Sequence, residues 1–163
     1  MPKPTIYLDT SVINFLYADD APEKKEITVD FFDNFVKLSI YDTYVTEYVI
    51  KEIDKTLSED RRKLLLKVIE DYPIKVLQSP SLSEIDELAV AYLNQGILPE
   101  KNFFDALHVA FCSIEKIDYL VSWNYRHLAN INKERRFSAK NYEMGYIHPF
   151  RIVTPTELIC YES

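Results

Sequence analysis

The chain has 163 residues, 47% apolar and 28% charged, with 19 basic against 26 acidic side chains and a formal charge of -7. That length suits one domain with a sizeable core, and the composition is that of an ordinary globular protein. The acidic balance argues against a protein that holds nucleic acid by broad phosphate neutralisation, which needs a basic face.

The first element is Thr5-Ile6-Tyr7-Leu8, an apolar run too short for a helix. It ends on Asp9-Thr10-Ser11, which has helix-capping chemistry, and a short helix runs on to about Tyr17. Asp19-Asp20-Ala21-Pro22 breaks the chain. Ile27, Phe31, Phe32, Phe35, Val36 and Leu38 then recur at helical spacing, which predicts one amphipathic helix over about 23–39 whose phenylalanines form core. Tyr41 to Val45 is a second strand, and Thr46 caps a helix carrying Glu47, Val49, Ile50, Glu52 and Ile53. Another helix begins near Ser58 and stops at Pro73, with Arg61, Arg62, Lys63 and Lys67 on a solvated face. Ile74 to Leu77 is a third strand.

Ser81 and Glu84 stand at capping-box spacing at the head of a helix that ends near Gly96. The next helix, Asn102 to Phe111, is apolar on nearly every face and should lie against the sheet. Asp118 to Ser122 is a buried strand running into Trp123-Asn124-Tyr125-Arg126-His127. A polar helix from Ile131 to Tyr142, a short strand at 151–153 and Thr154-Pro155 complete the chain. This alternation implies an α/β domain over 1–163 with a mainly parallel sheet flanked by helices.

With Gly96 and Gly145 as its only glycines the chain can build neither a Walker loop nor a G-x-G-x-x-G turn. Cys112 and Cys160 offer no disulfide framework and no metal-ligand spacing. No apolar run is long enough to cross a bilayer, and the first residues lack an apolar signal region, so a cytoplasmic protein without membrane contact is the expectation.

Polar side chains that interrupt apolar surroundings at element boundaries mark the candidate site: Asp9, Glu52, Asp105 and Asn124. Asp105 can be read as the acidic third residue of a helix capped by Asn102. It also shares a face with His108, and a carboxylate hidden in so apolar a helix needs a cation or donors. Glu47 rivals Glu52, and the apolar stripe of Val45, Val49 and Ile53 does not decide between them.

Leu8-Asp9-Thr10-Ser11 with Asn14, Val45-Thr46 leading to Glu52-Ile53, Asp105-Ala106-Leu107-His108-Val109-Ala110, and Asp118-Tyr119-Leu120-Val121-Ser122-Trp123-Asn124 with His127-Leu128 together resemble the PIN-domain nucleases, in particular the VapC-like ribonuclease toxins of type II toxin-antitoxin systems. The resemblance implies a three-layer α/β/α sandwich and a Mg²⁺- or Mn²⁺-dependent endoribonuclease leaving 5′-phosphate and 3′-hydroxyl ends. It implies that Asp9, Glu52 and Asp105 hold the metal, with Ser11 organising the site, and it prefers Glu52 to Glu47. Asn124 stands where many members have a fourth Asp, and it would add an amide oxygen to a metal or its water. Arg126 and His127 are candidates for gripping RNA. A homodimer and a small cognate antitoxin are the implied partners.

Hard carboxylate donors suit Mg²⁺ or Mn²⁺ rather than zinc. The competing expectations are a PIN-like binding module with weakened catalysis, and a receiver-like domain phosphorylated on Asp9.

Overall fold

The structure, a computed structural model, describes residues 2–159; Cys160 lies outside the described residues. Among the described residues five strands form one all-parallel sheet in the order β3-β2-β1-β4-β5: β1 (Thr5–Leu8), β2 (Asp42–Thr46), β3 (Ile74–Leu77), β4 (Tyr119–Val121) and β5 (Arg151–Val153). Helices on the two faces complete a three-layer α/β/α sandwich: α1 (Thr10–Phe15), α2 (Pro22–Phe31), α3 (Glu47–Asp54), α4 (Glu59–Asp71), α5 (Leu82–Asn94), α6 (Phe103–Ile114), α7 (Ile131–Glu143) and α8 (Pro155–Leu158). No helix among these residues is long and apolar enough to cross a membrane.

β1 is the central strand, in register with β2 (Ile6 opposite Thr43) and β4 (Ile6 opposite Tyr119). Covered on both faces, it shows no alternation: Ile6, Tyr7 and Leu8 are all fully buried. The chain winds outward from β1 through β2 to β3 and then returns to β4 on the other side of β1. The order therefore reverses between β1 and β4. In open parallel sheets a crevice opens outside the carboxyl ends of the strands at such a point. Asp9 follows β1 there, and Ser122, Trp123 and Asn124 follow β4.

The helix expected over about 23–39 runs unbroken to Val36, but its hydrogen bonding changes part-way. α2 stops at Phe31 and Phe32–Val36 form a π-helical turn, closed by Lys37 N–H donating to the Phe32 carbonyl at 2.8 Å. Closing five residues back sets Phe31 near Val36 and lets adjacent Phe32 enter the core too, edge-on to Tyr72 at 5.0 Å.

The expected capping box at Ser81 does not form. The Ser81 backbone is not extended, its side chain makes no cap bond, and its N–H donates to Ser79 Oγ at 3.0 Å. The box appears instead at α8, where Thr154 N–H donates to Glu157 Oε2 at 2.8 Å. Arg61 also departs from the solvated face expected of it. Its guanidinium donates to the Asn14 carbonyl at 3.1 Å and ties α4 to the helix that follows Asp9.

α6, which carries two residues of the candidate site, is clamped from behind by a buried polar network. Tyr92 of α5 donates to Asn141 Oδ1, and Asn141 Nδ2 of α7 donates to Ser113 Oγ at 2.7 Å. Burial pushes the Tyr92 phenol well above its usual range, so it acts as a donor throughout the physiological range. Tyr92→Phe leaves the Asn141 oxygen without that donor and is expected to cost about 1–3 kcal/mol, read as a lower urea midpoint at unchanged slope.

Candidate functional site

Asp9 is the N-cap of α1 and is 3% exposed. Its Oδ1 accepts from Ser11 Oγ at 2.5 Å and from Val12 N–H at 3.2 Å, while its own N–H donates across the sheet to the Val121 carbonyl. Burial pushes its carboxyl up to about 6. The charge of Asp105 adds to the rise, and His108, Ser11 and Ser122 oppose it.

Ser11 does more than hold Asp9. Its oxygen accepts from Trp123 N–H at 2.9 Å, and Ser122 Oγ accepts from Asn124 N–H at 2.9 Å. The Ser11 hydroxyl thus ties the end of β1 to the end of β4, where it also lies 3.5 Å from the Ser122 hydroxyl.

Glu52, half-buried, is the acid that joins the site; Glu47 is exposed. Thr10 Oγ1 donates to Glu52 Oε1 at 2.7 Å, and His108 Nε2 donates to the same oxygen at 2.5 Å. Burial alone would raise the Glu52 carboxyl. The His108 bond and charge together with Thr10 outweigh it and hold the group below its ordinary range.

His108 is fully buried and was singled out in the sequence only for sharing a face with Asp105. Its Nδ1 meets Tyr7 OH at 2.6 Å, and that hydroxyl meets Thr46 Oγ1 at 2.6 Å. Burial disfavours an imidazolium, but the hydrogen bond and charge of Glu52, with Asp9 and Asp105 behind it, hold the His108 proton above the usual histidine range. In the imidazolium both ring nitrogens donate, Nδ1 to Tyr7 and Nε2 to Glu52. Tyr7 then donates to Thr46, whose oxygen also accepts Tyr48 N–H at 3.2 Å.

Asp105 is the third residue of α6, so it faces the helix dipole and the site together. Asn102 makes no cap bond to the backbone; its Nδ2 donates to Asp105 Oδ2 at 2.8 Å, and Asn124 Nδ2 approaches the same oxygen at 3.4 Å. Burial raises the Asp105 carboxyl, with Glu52 adding to the rise and His108, Asn102 and His127 opposing it.

Asn124 turns its amide nitrogen to the site. Its oxygen accepts His127 N–H at 3.0 Å, and this fixes the 124–127 turn. Arg126 is exposed, and the buried His127 Nδ1 has no hydrogen-bond partner among the described residues. Burial, reinforced by nearby Arg126, Lys133 and Lys101, lowers the proton affinity of His127.

The structure therefore brings Asp9, Ser11, Glu52, Asp105 and Asn124 into one hydrogen-bonded and electrostatically coupled group. The sequence reading missed Tyr7, Thr10, Thr46, Asn102 and Ser122, and left His108 outside the site. The available signals were a hydroxyl at or just after the end of each of β1, β2 and β4, and one tyrosine among the apolar residues of β1. A cavity of about 420 Å³ opens one strand over among Thr46, Lys51, Leu77, Leu82 and Phe111, and the three carboxylates do not line it.

Among the described residues no three His, Cys, Asp or Glu side chains close into a group that could hold a metal ion. The donor chemistry nonetheless fits a hard divalent cation. All three acids offer oxygen, and in Asp9 and Asp105 burial and mutual charge oppose ionisation, which a cation drawing the carboxylates together would relieve. No protein-family model matches the chain, and no curated protein matches it at a significant level.

Proposed function

We propose that the chain is a metal-dependent endoribonuclease of PIN type, acting as a VapC-like toxin. The observation that carries this reading is the charge coupling of Asp105 to both Asp9 and Glu52, three acids from separate segments, beside the reversal of strand order between β1 and β4. Asp9, Glu52 and Asp105 would hold Mg²⁺ or Mn²⁺, which supplies Lewis-acid neutralisation of the phosphate and activation of water.

The chain's own residues prepare that chemistry. Ser11 and the Val12 N–H fix one oxygen of Asp9, Thr10 and His108 fix one oxygen of Glu52, and Asn102 with Asn124 fix one oxygen of Asp105. Held in this way, the three carboxylates would offer their remaining oxygen lone pairs to a cation. Asn124 acts as a positioning residue, because its amide oxygen is committed to His127. Arg126, which is exposed, would meet the RNA backbone. Hydrolysis forms a bond from water oxygen to phosphorus and breaks the bond from phosphorus to the 3′-oxygen, which takes up a proton. The homodimer and the cognate antitoxin rest on the resemblance alone.

The test is cleavage of an end-labelled single-stranded RNA with Mg²⁺ or Mn²⁺ and with chelator. Activity is expected only with the metal. Glu52→Gln should lower it by about a hundredfold or more, on the scale of losing one preorganised charged group, whereas Glu47→Gln should stay near wild type. Metal binding by calorimetry without cleavage would favour the binding-module reading.

A further inference from the structure

Beside the turn that carries Asn124, three aromatic rings surround one ammonium. Lys24 Nζ of α2 lies 5.4 Å from the Phe15 ring, 5.7 Å from Trp123 and 5.2 Å from Tyr125. Phe15 and Trp123 are 5.9 Å apart, and Trp123 and Tyr125 meet edge to face at 6.2 Å. Trp123 is the buried floor, anchored by its Nε1–H donating to Thr28 Oγ1 at 2.9 Å, while Tyr125 is 49% exposed.

Lys24 makes no salt bridge among the described residues, whereas neighbouring Lys25 pairs with Asp19. Its charge is spent only on ring faces, which at a surface are weak partners. Arg126 follows Tyr125 directly, and Lys101 and Lys133 lie close to His127. In a chain of net charge -7, Arg126, Lys101 and Lys133 act on His127, which also faces the charge of Asp105; the Lys133 ammonium donates to the Ile97 carbonyl.

We infer that this cage is a nucleobase subsite, in which an unpaired RNA base stacks on Tyr125 above Trp123 and the displaced Lys24 ammonium moves to the adjoining phosphate. The inference rests on the ribonuclease reading and adds to it the place where one unpaired base of the RNA is held. Stacking on an aromatic ring accepts any base but requires it to be out of a helix, and one base stack together with the new phosphate contact of the ammonium offsets the three ring contacts that half-buried Lys24 gives up. The subsite adjoins the acids through the backbone: Trp123 N–H donates to the same Ser11 that holds Asp9.

Trp123 is the chain's single tryptophan, so its emission reports on the cage directly. The experiment titrates wild-type protein, in chelator so that no cleavage occurs, with a short oligouridylate and with the same strand annealed to oligoadenylate. The single strand should quench or shift the emission saturably, and the duplex should leave it unchanged. Tyr125→Ala should weaken single-strand binding about 5- to 150-fold, the range for loss of one base stack, and Tyr125→Phe should restore it. Lys24→Gln should lower the slope of log affinity against log salt by about 0.7. Equal response to duplex, or undiminished binding by Tyr125→Ala, overturns the subsite. Cleavage unchanged in Tyr125→Ala removes the subsite and keeps the nuclease, whereas a saturable response without metal-dependent cleavage keeps the subsite and removes the nuclease.

Discussion

Asp9→Asn is expected to abolish RNA cleavage and, in the same protein, to raise thermal stability at pH 8 in chelator. The two effects share one cause. Asn preserves the acceptor oxygen that caps α1 and takes the Ser11 and Val12 bonds, but it carries no charge into a position that is 3% exposed. The Asp9 carboxyl titrates near 6 in the folded protein against 3.8 in its ordinary state. Between those values the folded protein binds the proton more tightly than the unfolded chain does, so stability falls as pH rises from about 4 to about 6 and then levels off. A shift of about two units corresponds to about 3 kcal/mol of destabilisation by the ionised carboxylate at neutral pH.

Wild type and Asp9→Asn should therefore unfold at similar temperatures near pH 4 and diverge above it, the variant being the more stable. Mn²⁺ should close the gap by stabilising wild type alone, since a ligand that binds only the folded state adds to its stability. Parallel melting curves across pH 4 to 8 would show that the buried charge carries no such cost. Cleavage by the variant at the wild-type rate would remove Asp9 from the chemistry.

What could be read in the sequence and what could not divide along the range of the interactions. β1 and its terminal acid were legible because an aliphatic run ending on Asp-Thr-Ser is decided locally. The same holds for Thr46 and Ser58, whose side chains accept cap bonds from the helices they precede. Ser81 has the same local spacing as Thr154, yet only Thr154 forms the box, because the preceding Ser79 fixes the Ser81 backbone first. Glu47 and Glu52 could not be separated by periodicity. The deciding partners, Thr10 and His108, lie 42 and 56 residues away in sequence. The π turn at 32–36 escaped for a related reason: the sequence shows which side chains want the core, but not that Phe32 has Tyr72 to pack against.

His108→Leu is expected to be the most destabilising change at the site, by about 3–5 kcal/mol near pH 6. It keeps much of the volume but strips Glu52 of its charged partner and leaves Tyr7 OH without the imidazole, and breaking a buried pair from one side costs on that scale. The pH dependence separates this loss from a packing defect. Because the folded His108 is held above 6.5, its stabilisation is full below the unfolded value and fades as pH rises through the folded one. Because Glu52 is held below 4.5, its stabilisation is present above that value and fades as pH falls through the folded one. The pair thus contributes most between about pH 4.5 and 6.5, the range in which Asp9 is becoming a burden. The difference between wild type and His108→Leu should peak there and shrink toward pH 9. Tyr7→Phe, which removes one hydroxyl and no charge but leaves the His108 Nδ1 without its partner, should cost about 1–3 kcal/mol, less than His108→Leu and with the smaller change between pH 6 and pH 9, the buried phenol itself staying protonated throughout. Urea midpoints at pH 6 and pH 9 for wild type, His108→Leu and Tyr7→Phe decide the matter. A His108→Leu deficit equal at both pH values would mean that the imidazole serves there as a neutral filler, and that Glu52 is held by Thr10 alone.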